Sequence, residues 1–418
     1  MDMTIPPWFA LPTPSSHPLS NQVLETPVII VGAGLAGCHI AFALAQQNVP
    51  VLLLDAASSV AAGASSNDAG IVKPFVTRDT SLADQFYRKA FEYCLLQLSV
   101  DTQLAQYASF NPCGVLQLLN NPYPANASYD SCTSMEASAL AGVTLNSDAI
   151  HFSPAGWLNP ARLCDGLVQH KNIDLRLRTS VQSIKASSHG WLVDTQSRTT
   201  DDSSARMVER DETFECHQLI LATGECLNQF TQTSDIPVTP ARGQTSRFRT
   251  IGENPLRAVI TGKRYVIPDG HELIVGASFK RGSINRDIQV DEHVQNRQAL
   301  NELLPTIKTS DTAVAGFSGI RATTPDRLPV LGPMPDLSSY PDDYALIKNG
   351  LPAARFPAAS YHSGLSVIGG FGSRGIVSAP YCAKLLADYL INDNGQQLAH
   401  WASLLHPGRF MVRTLKRT

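Results

Sequence analysis

Apolar and polar positions alternate with two periods along this chain, and the clearest stretch is residues 27–55, PVIIVGAGLAGCHIAFALAQQNVPVLLLD. Val28 to Val31 is a continuous apolar run, as expected of a strand buried on both faces. An Ala-rich helix is predicted from His39 to Gln46 and a second buried strand from Val51 to Leu54. Further on, Leu82, Phe86, Ala90, Phe91, Cys94, Leu95 and Leu98 form a helical stripe. The pattern then predicts a strand over 114–119, a helix over 161–169, and strands over 173–177 and 181–184. A hairpin follows, with arms 190–195 and 214–222 and a charged, Ser/Thr-rich tip over 196–213 read as a solvated loop.

From residue 236 the texture changes to shorter strands with polar alternation, at 238–249, 258–260, 265–267 and 273–279, then a helix over 291–304. This is a second sheet and a candidate substrate domain. Residues 319–332 read as a turn-rich bridge, and 334–363 as a long Pro/Ser/Tyr-rich connection of a kind that is often functional. A strand over 365–368, the glycine-rich turn GGFGSRG and a helix over 376–390 complete the pattern.

Composition narrows the picture without redirecting it. The 418 residues are 43% hydrophobic and 17% charged, enough for two ordinary globular cores. A net charge of -3 gives no global case for a nucleic-acid partner. The eight cysteines contain no C-x-x-C pair and several lie in apolar runs, so buried thiols in a reducing cytoplasm are expected. Residues 1–25 hold five prolines and neither a basic n-region nor an apolar h-region, so they read as a flexible or loosely docked extension and not a signal peptide. No segment is long and apolar enough to span a membrane.

The chemistry starts at Gly32, Gly34 and Gly37, in G-x-G-x-x-G spacing between the first strand and the helix. With Ala33, Leu35 and Ala36 they form a turn that brings backbone N–H groups and a helix N-terminus to a pyrophosphate. Asp55 ends the second strand, where an acid accepts from ribose hydroxyls and disfavours a ribose 2′-phosphate. The small residues around Ser65, Ser66 and Asn67 suit a loop passing close to a ligand. The strand ending at Thr223 and Gly224 presents backbone at a sheet edge. A second strand–glycine–helix turn, with Gly372, Ser373, Arg374, Gly375 and Ile376, is more than a nicotinamide cofactor requires. FAD is long enough to use two helix N-termini, one at the pyrophosphate and one at the flavin N1–C2=O edge. Arg321 and Arg374, each in a rigid turn, are candidates to clamp a carboxylate, with surface ion pairing as the plainer reading of a lone arginine. Lys280 and Arg281 follow a strand, where a solvated hairpin end is equally plausible. His39 reads as packed or solvent-facing, and no metal or acyl-transfer motif occurs. The basic-aromatic segment from Trp401 offers cations and a ring to RNA, although four cations in a short terminus are commonplace.

GASSNDAG, LATGE, GIRATTPDRLPVLG and GGFGSRGIVSAPYCAKLLADYL together resemble the D-amino-acid-oxidase-like (glycine/sarcosine oxidase) superfamily of flavoenzymes. Within it, GSRG-x-x-SAP at 372–380 and GAS-x-x-RGS at 276–283 are most similar to the flavin half of bifunctional tRNA wobble-uridine modification proteins. The resemblance implies an α/β fold with a discontinuous Rossmann-like FAD-binding domain (26–90, 150–235, 316–400) and a mainly antiparallel-sheet substrate domain (91–149, 236–315). The extension 1–25 and a basic tail 401–418 would flank them. It implies non-covalent FAD, since Gly319 stands where covalent sarcosine oxidases carry a cysteine. The first glycines would hold the pyrophosphate, Asp55 the ribose and Val181 the adenine. Ser65, Asn67 and Gly70 would line the path to the flavin, Gly372 to Gly375 would face its pyrimidine edge, and Arg321, with Arg374 or Lys280 as alternatives, would take a substrate carboxylate. The implied activity is oxidation of the carboxymethylaminomethyl group of a tRNA wobble uridine, releasing glyoxylate and leaving aminomethyl-uridine. Only the Pro-rich extension stands where a methyltransferase domain is expected, so that step would belong to a separate protein or be absent. Two other readings stay open: an oxidase of a free small amino acid such as glycine or sarcosine, and a non-catalytic flavin-fold subunit that binds tRNA.

Overall fold

The computed structural model describes residues 5–12, 26–76, 81–119, 130–200, 207–392 and 395–417. The chain divides into two compact units: residues 1–62, 164–239 and 322–418 form the first, and 63–163 and 240–321 the second. Residues 63–90, expected with the cofactor domain, therefore belong to the second unit.

The first unit is built on a six-stranded sheet in the order Val330–Pro335, Tyr361–Gly369, Leu219–Leu221, Val28–Val31, Val51–Leu54, Ile173–Arg176. Its first two strands pair antiparallel and the rest are parallel. Val28–Val31 and Val51–Leu54 are buried along their whole length, as continuous apolar runs require. The helices Leu35–Gln46 and Gly375–Asn392 pack on one another. The mixed α/β fold with a Rossmann-type parallel core is the one expected.

A three-stranded antiparallel sheet, Thr179–Ser187, Gly190–Thr200 and Met207–Cys216, corrects the reading of 196–213 as a loop. Its polar residues face one another across strands: Asp194 accepts from Ser183, Lys185 and Thr213. Residues 201–206 lie outside the described set.

Both termini differ from expectation in the same way. Of the extension, residues 1–4 and 13–25 are outside the described residues, but Trp8 and Phe9 are buried in the main core. The long connection 334–363 receives them: Tyr340 donates to the Trp8 carbonyl (3.0 Å), and Tyr344 and Phe356 stand edge-on to the Trp8 ring. The expected basic tail is packed structure too. Trp401 and Val412 are buried, and Arg409 is fully enclosed. Arg409 spends its donors on both oxygens of Asp326 and on the carbonyls of Leu328, Leu405 and His406. Arg409 therefore serves the fold, because internal acceptors take up its donors.

The second unit carries a nine-stranded, mainly antiparallel sheet in which Thr239–Arg249 pairs with Lys280–Arg281, Glu272–Gly276 and Ala315–Thr323. The last of these replaces half of the expected turn-rich bridge; the break falls between it and the strand starting at Val330. All eight cysteines are free thiols, and among the described residues no helix is long and apolar enough to cross a membrane.

Candidate active site

In the first unit, two helix N-termini meet. Gly32 adopts φ +104°, and a Cβ there would lie 2.5 Å from the Ala222 carbonyl oxygen. A Cβ on Gly37 would come within 1.7 Å of the Gly32 oxygen, so the third glycine lets the helix lie on the turn itself. Gly34 is the N-cap of Leu35–Gln46, with Ala33 before it and Ala36 in the first turn. The second glycine turn lies alongside: a Cβ on Gly375 would sit 3.8 Å from the Leu35 side chain. Gly372, at φ +58°, donates its N–H to the Ala322 carbonyl, Arg374 donates to the Arg327 carbonyl, and Ser373 and Ile376 flank the helix start.

Asp55 holds the first turn in shape, accepting from the N–H of Ala33 (2.6 Å) and of Ala57 (2.8 Å), one to each oxygen. Each carboxylate oxygen keeps a lone pair for a further donor. Thr223, beside Gly224, has a buried hydroxyl oxygen with no partner. Val181 lies in the strand Thr179–Ser187, opposite Thr195. Paired helix ends, a strained glycine turn, an end-of-strand carboxylate and an unpartnered buried hydroxyl fit a dinucleotide-length anionic cofactor.

The second unit holds a small pocket lined by Ala64, Asn67, Gly243, Thr245, Phe317, Gly319 and Arg321, with about 270 Å³ of empty space, open mouth included. Arg321 is half-buried and, among the described residues, makes no hydrogen bond or ion pair. Burial lowers its affinity for the proton, only Tyr265 opposes this, and no carboxylate offsets the charge. Gly243 makes room for it: a Cβ there would fall 2.1 Å from Arg321 Nη1. Burial raises the Tyr265 phenol, against Arg321 and a hydrogen bond from Asn67, so it keeps its proton at neutral pH.

Of the three candidate anchors, the structure brings only Arg321 to this pocket. Lys280 is exposed, with Nζ 2.7 Å from Glu292, and Arg374 belongs to the first unit. Among the loop candidates, Asn67 joins Arg321 at the pocket. Ser66 turns its hydroxyl to the Gly63 carbonyl, and Ser65 completes the same short turn. Gly70 starts a strand paired with Leu158. Sequence reasoning missed Gly243, Thr245, Tyr265 and Phe317. Only Gly243 left a trace, as a glycine inside a strand pattern. His39 is buried, and desolvation pushes its pKa down to about 3, so it is a neutral packed group.

The family described as DAO, FAD dependent oxidoreductase, matches residues 27–389. The bifunctional tRNA 5-methylaminomethyl-2-thiouridine biosynthesis protein MnmC of Pseudomonas syringae pv. tomato is 30% identical over 433 residues, covering 98% of this chain and 62% of that protein. MnmC of Shewanella amazonensis is 27% identical over 431 residues, covering 97% and 62%. The chain thus spans less than two thirds of the length of these relatives. Among solved structures, glycine oxidase of Geobacillus kaustophilus superposes with a TM-score of 0.68 at 21% identity, over 87% of this chain and 94% of that one. L-proline dehydrogenase of P. horikoshii gives 0.69 at 14% identity, over 93% and 98%, and these two likenesses speak for the fold. Two helix ends suited to a long dinucleotide, on a chain matched across 27–389, make this protein a member of the DAO family of FAD-dependent oxidoreductases.

Proposed function

We propose that this protein oxidises the carboxymethylaminomethyl group of a tRNA wobble uridine, an N-substituted glycine, leaving aminomethyl-uridine and releasing glyoxylate. The observation that carries the reading is Arg321: an unpaired guanidinium in a pocket is costly unless an anion completes it. A substrate carboxylate is that anion, taken by the guanidinium fork and by the neutral Tyr265 O–H. The names of the similar bifunctional tRNA-modifying proteins supply the rest of the substrate.

FAD would be held by the Gly32–Gly37 turn, Asp55, Val181, Thr223–Gly224 and the Gly372–Ile376 turn, and when bound it supplies two-electron oxidation of a C–H bond next to nitrogen. The protein's task is then to anchor and orient. With the carboxylate fixed, the adjoining CH₂ has one allowed approach. Loss of two electrons and two protons, as a hydride from the CH₂ and a proton from the nitrogen, converts CH₂–NH–CH₂–COO⁻ to CH₂–N=CH–COO⁻, and water cleaves the imine to the primary amine and glyoxylate. No side-chain nucleophile is required.

Nucleoside mass spectrometry of tRNA from cells lacking the gene tests the substrate. Carboxymethylaminomethyl-uridine should accumulate and return to its normal level when the gene is restored. An unchanged nucleoside profile would instead favour a free small amine as substrate.

A further inference from the structure

Resting on that reading, we infer that Asn67 is the specificity residue for the substrate's amine, accepting its N–H through Oδ1 while Arg321 holds the carboxylate. The amide cannot face the other way. Nδ2 lies 2.6 Å from the Ala69 carbonyl, which can only accept. Oδ1 is therefore the end left over, and it is buried with no partner, on a residue that lines the pocket with Arg321. A buried acceptor without a donor calls for one. Across the same small pocket stands a cation without an anion. A carboxylate one carbon from an N–H matches the two unmet groups, and an N-substituted glycine carries that pair.

Asn67 thereby supplies what Arg321 cannot. A guanidinium accepts any carboxylate of suitable size, whereas an acceptor whose only donor is the ligand rejects an analogue lacking the N–H.

The test uses FAD-loaded full-length protein and two nucleosides, 5-carboxymethylaminomethyl-uridine and its analogue with oxygen in place of the amine nitrogen. Dissociation constants are read anaerobically from the flavin absorbance change. Wild type should prefer the amine by about tenfold or more, the worth of one hydrogen bond to a buried acceptor. Asn67→Ala and Asn67→Ser should bring the ratio near one with FAD content unchanged. A ratio that survives both substitutions, a wild type without preference, or loss of FAD from both variants would overturn the assignment, the last by making Asn67 a cofactor ligand. Arg321→Met separates the two claims: it should weaken both nucleosides and keep their ratio. If it weakens neither, the carboxylate reading fails while the ratio still judges Asn67. If wild type binds neither nucleoside, the inference falls together with the reading beneath it.

Discussion

Arg242 and Arg321 lie in the same unit and are opposites in every respect but residue type. The Arg242 side chain is 1% exposed and donates to the Asn285 carbonyl, to Gln244 Oε1, to the Asp287 carbonyl and to the Glu292 carboxylate. Burial pushes Glu292 up, but Lys280, Ser278 and Arg242 outweigh it and hold it below its ordinary value. Among the described residues Arg321 has no such partner. Alternation along the strand Thr239–Arg249 keeps the two environments apart. Arg242, Gln244 and Ser246 share one face, where Asn296 donates to Ser246 Oγ and to the Gln244 carbonyl, while Gly243 and Thr245 line the pocket. One face of a single strand is thus satisfied from within, and the other is completed only from outside. The contrast separates an arginine that builds the protein from one that binds.

Breaking the two arginines should give opposite signatures. Arg242→Met leaves the Glu292 carboxylate with Lys280 as its one remaining ion-pair partner and Ser278 as a neutral donor, so chemical denaturation should report a loss of about 3 kcal/mol or more. Arg321→Met removes a charge that nothing in the protein pays for, so stability should hold or rise while affinity for a carboxylate ligand falls about 100-fold, or about 2.7 kcal/mol. Equal stability losses in both variants would erase the distinction.

A third kind of buried ionisable group sharpens it, one that escapes its cost by staying neutral. His39 and His406 are both pushed down to about 3, by burial in each case, with Arg409 adding to the effect on His406. His406 Nδ1 accepts from the Gly408 N–H, so Nε2 carries the proton and faces Tyr361. Between about pH 6.5 and 3 the unfolded chain binds these protons and the folded one does not, so stability is full above that window and falls as pH drops through it. Each histidine should cost about 2 kcal/mol on going from neutral pH to pH 5. His39→Phe should flatten its share of the slope in denaturation curves measured across that range.

The smallest effect belongs to Gly243→Ala. The new Cβ meets the mobile end of the Arg321 side chain, which can shift, so stability should change little. Carboxylate affinity should drop about tenfold, because the guanidinium loses its seat. Isothermal titration with a small carboxylate checks this, and unchanged affinity would show that Arg321 binds from another position.

How much of this was legible in the sequence follows a physical division. The strands and helix of residues 28–55 are legible because their patterns are local, and the second glycine turn is legible for the same reason. Arg321 stood out inside a compact motif. The strand ending at Thr323 was hidden because Gly and Pro nearby suggest turns, although only 324–329 break the chain. The hairpin tip read as loop because a two-sided polar ladder has no apolar face to announce it. Trp8, Trp401 and Arg409 looked like termini until the partners that bury them were in place. Tyr265 and the orientation of Asn67 gave no local sign, since a pocket assembled from residues 64 to 321 is not a property of any one segment.

The central claim is that Arg321 serves an N-substituted glycine on tRNA, and in vitro turnover tests it most directly. FAD-loaded protein is incubated with tRNA bearing carboxymethylaminomethyl-uridine, and both the nucleoside and glyoxylate are quantified for wild type and Arg321→Met. The account predicts aminomethyl-uridine and glyoxylate in equal amounts from wild type, with turnover from the variant reduced about 100-fold at low substrate. Intact carboxymethylaminomethyl-uridine after incubation with the wild-type protein, or equal turnover by the variant, would contradict it.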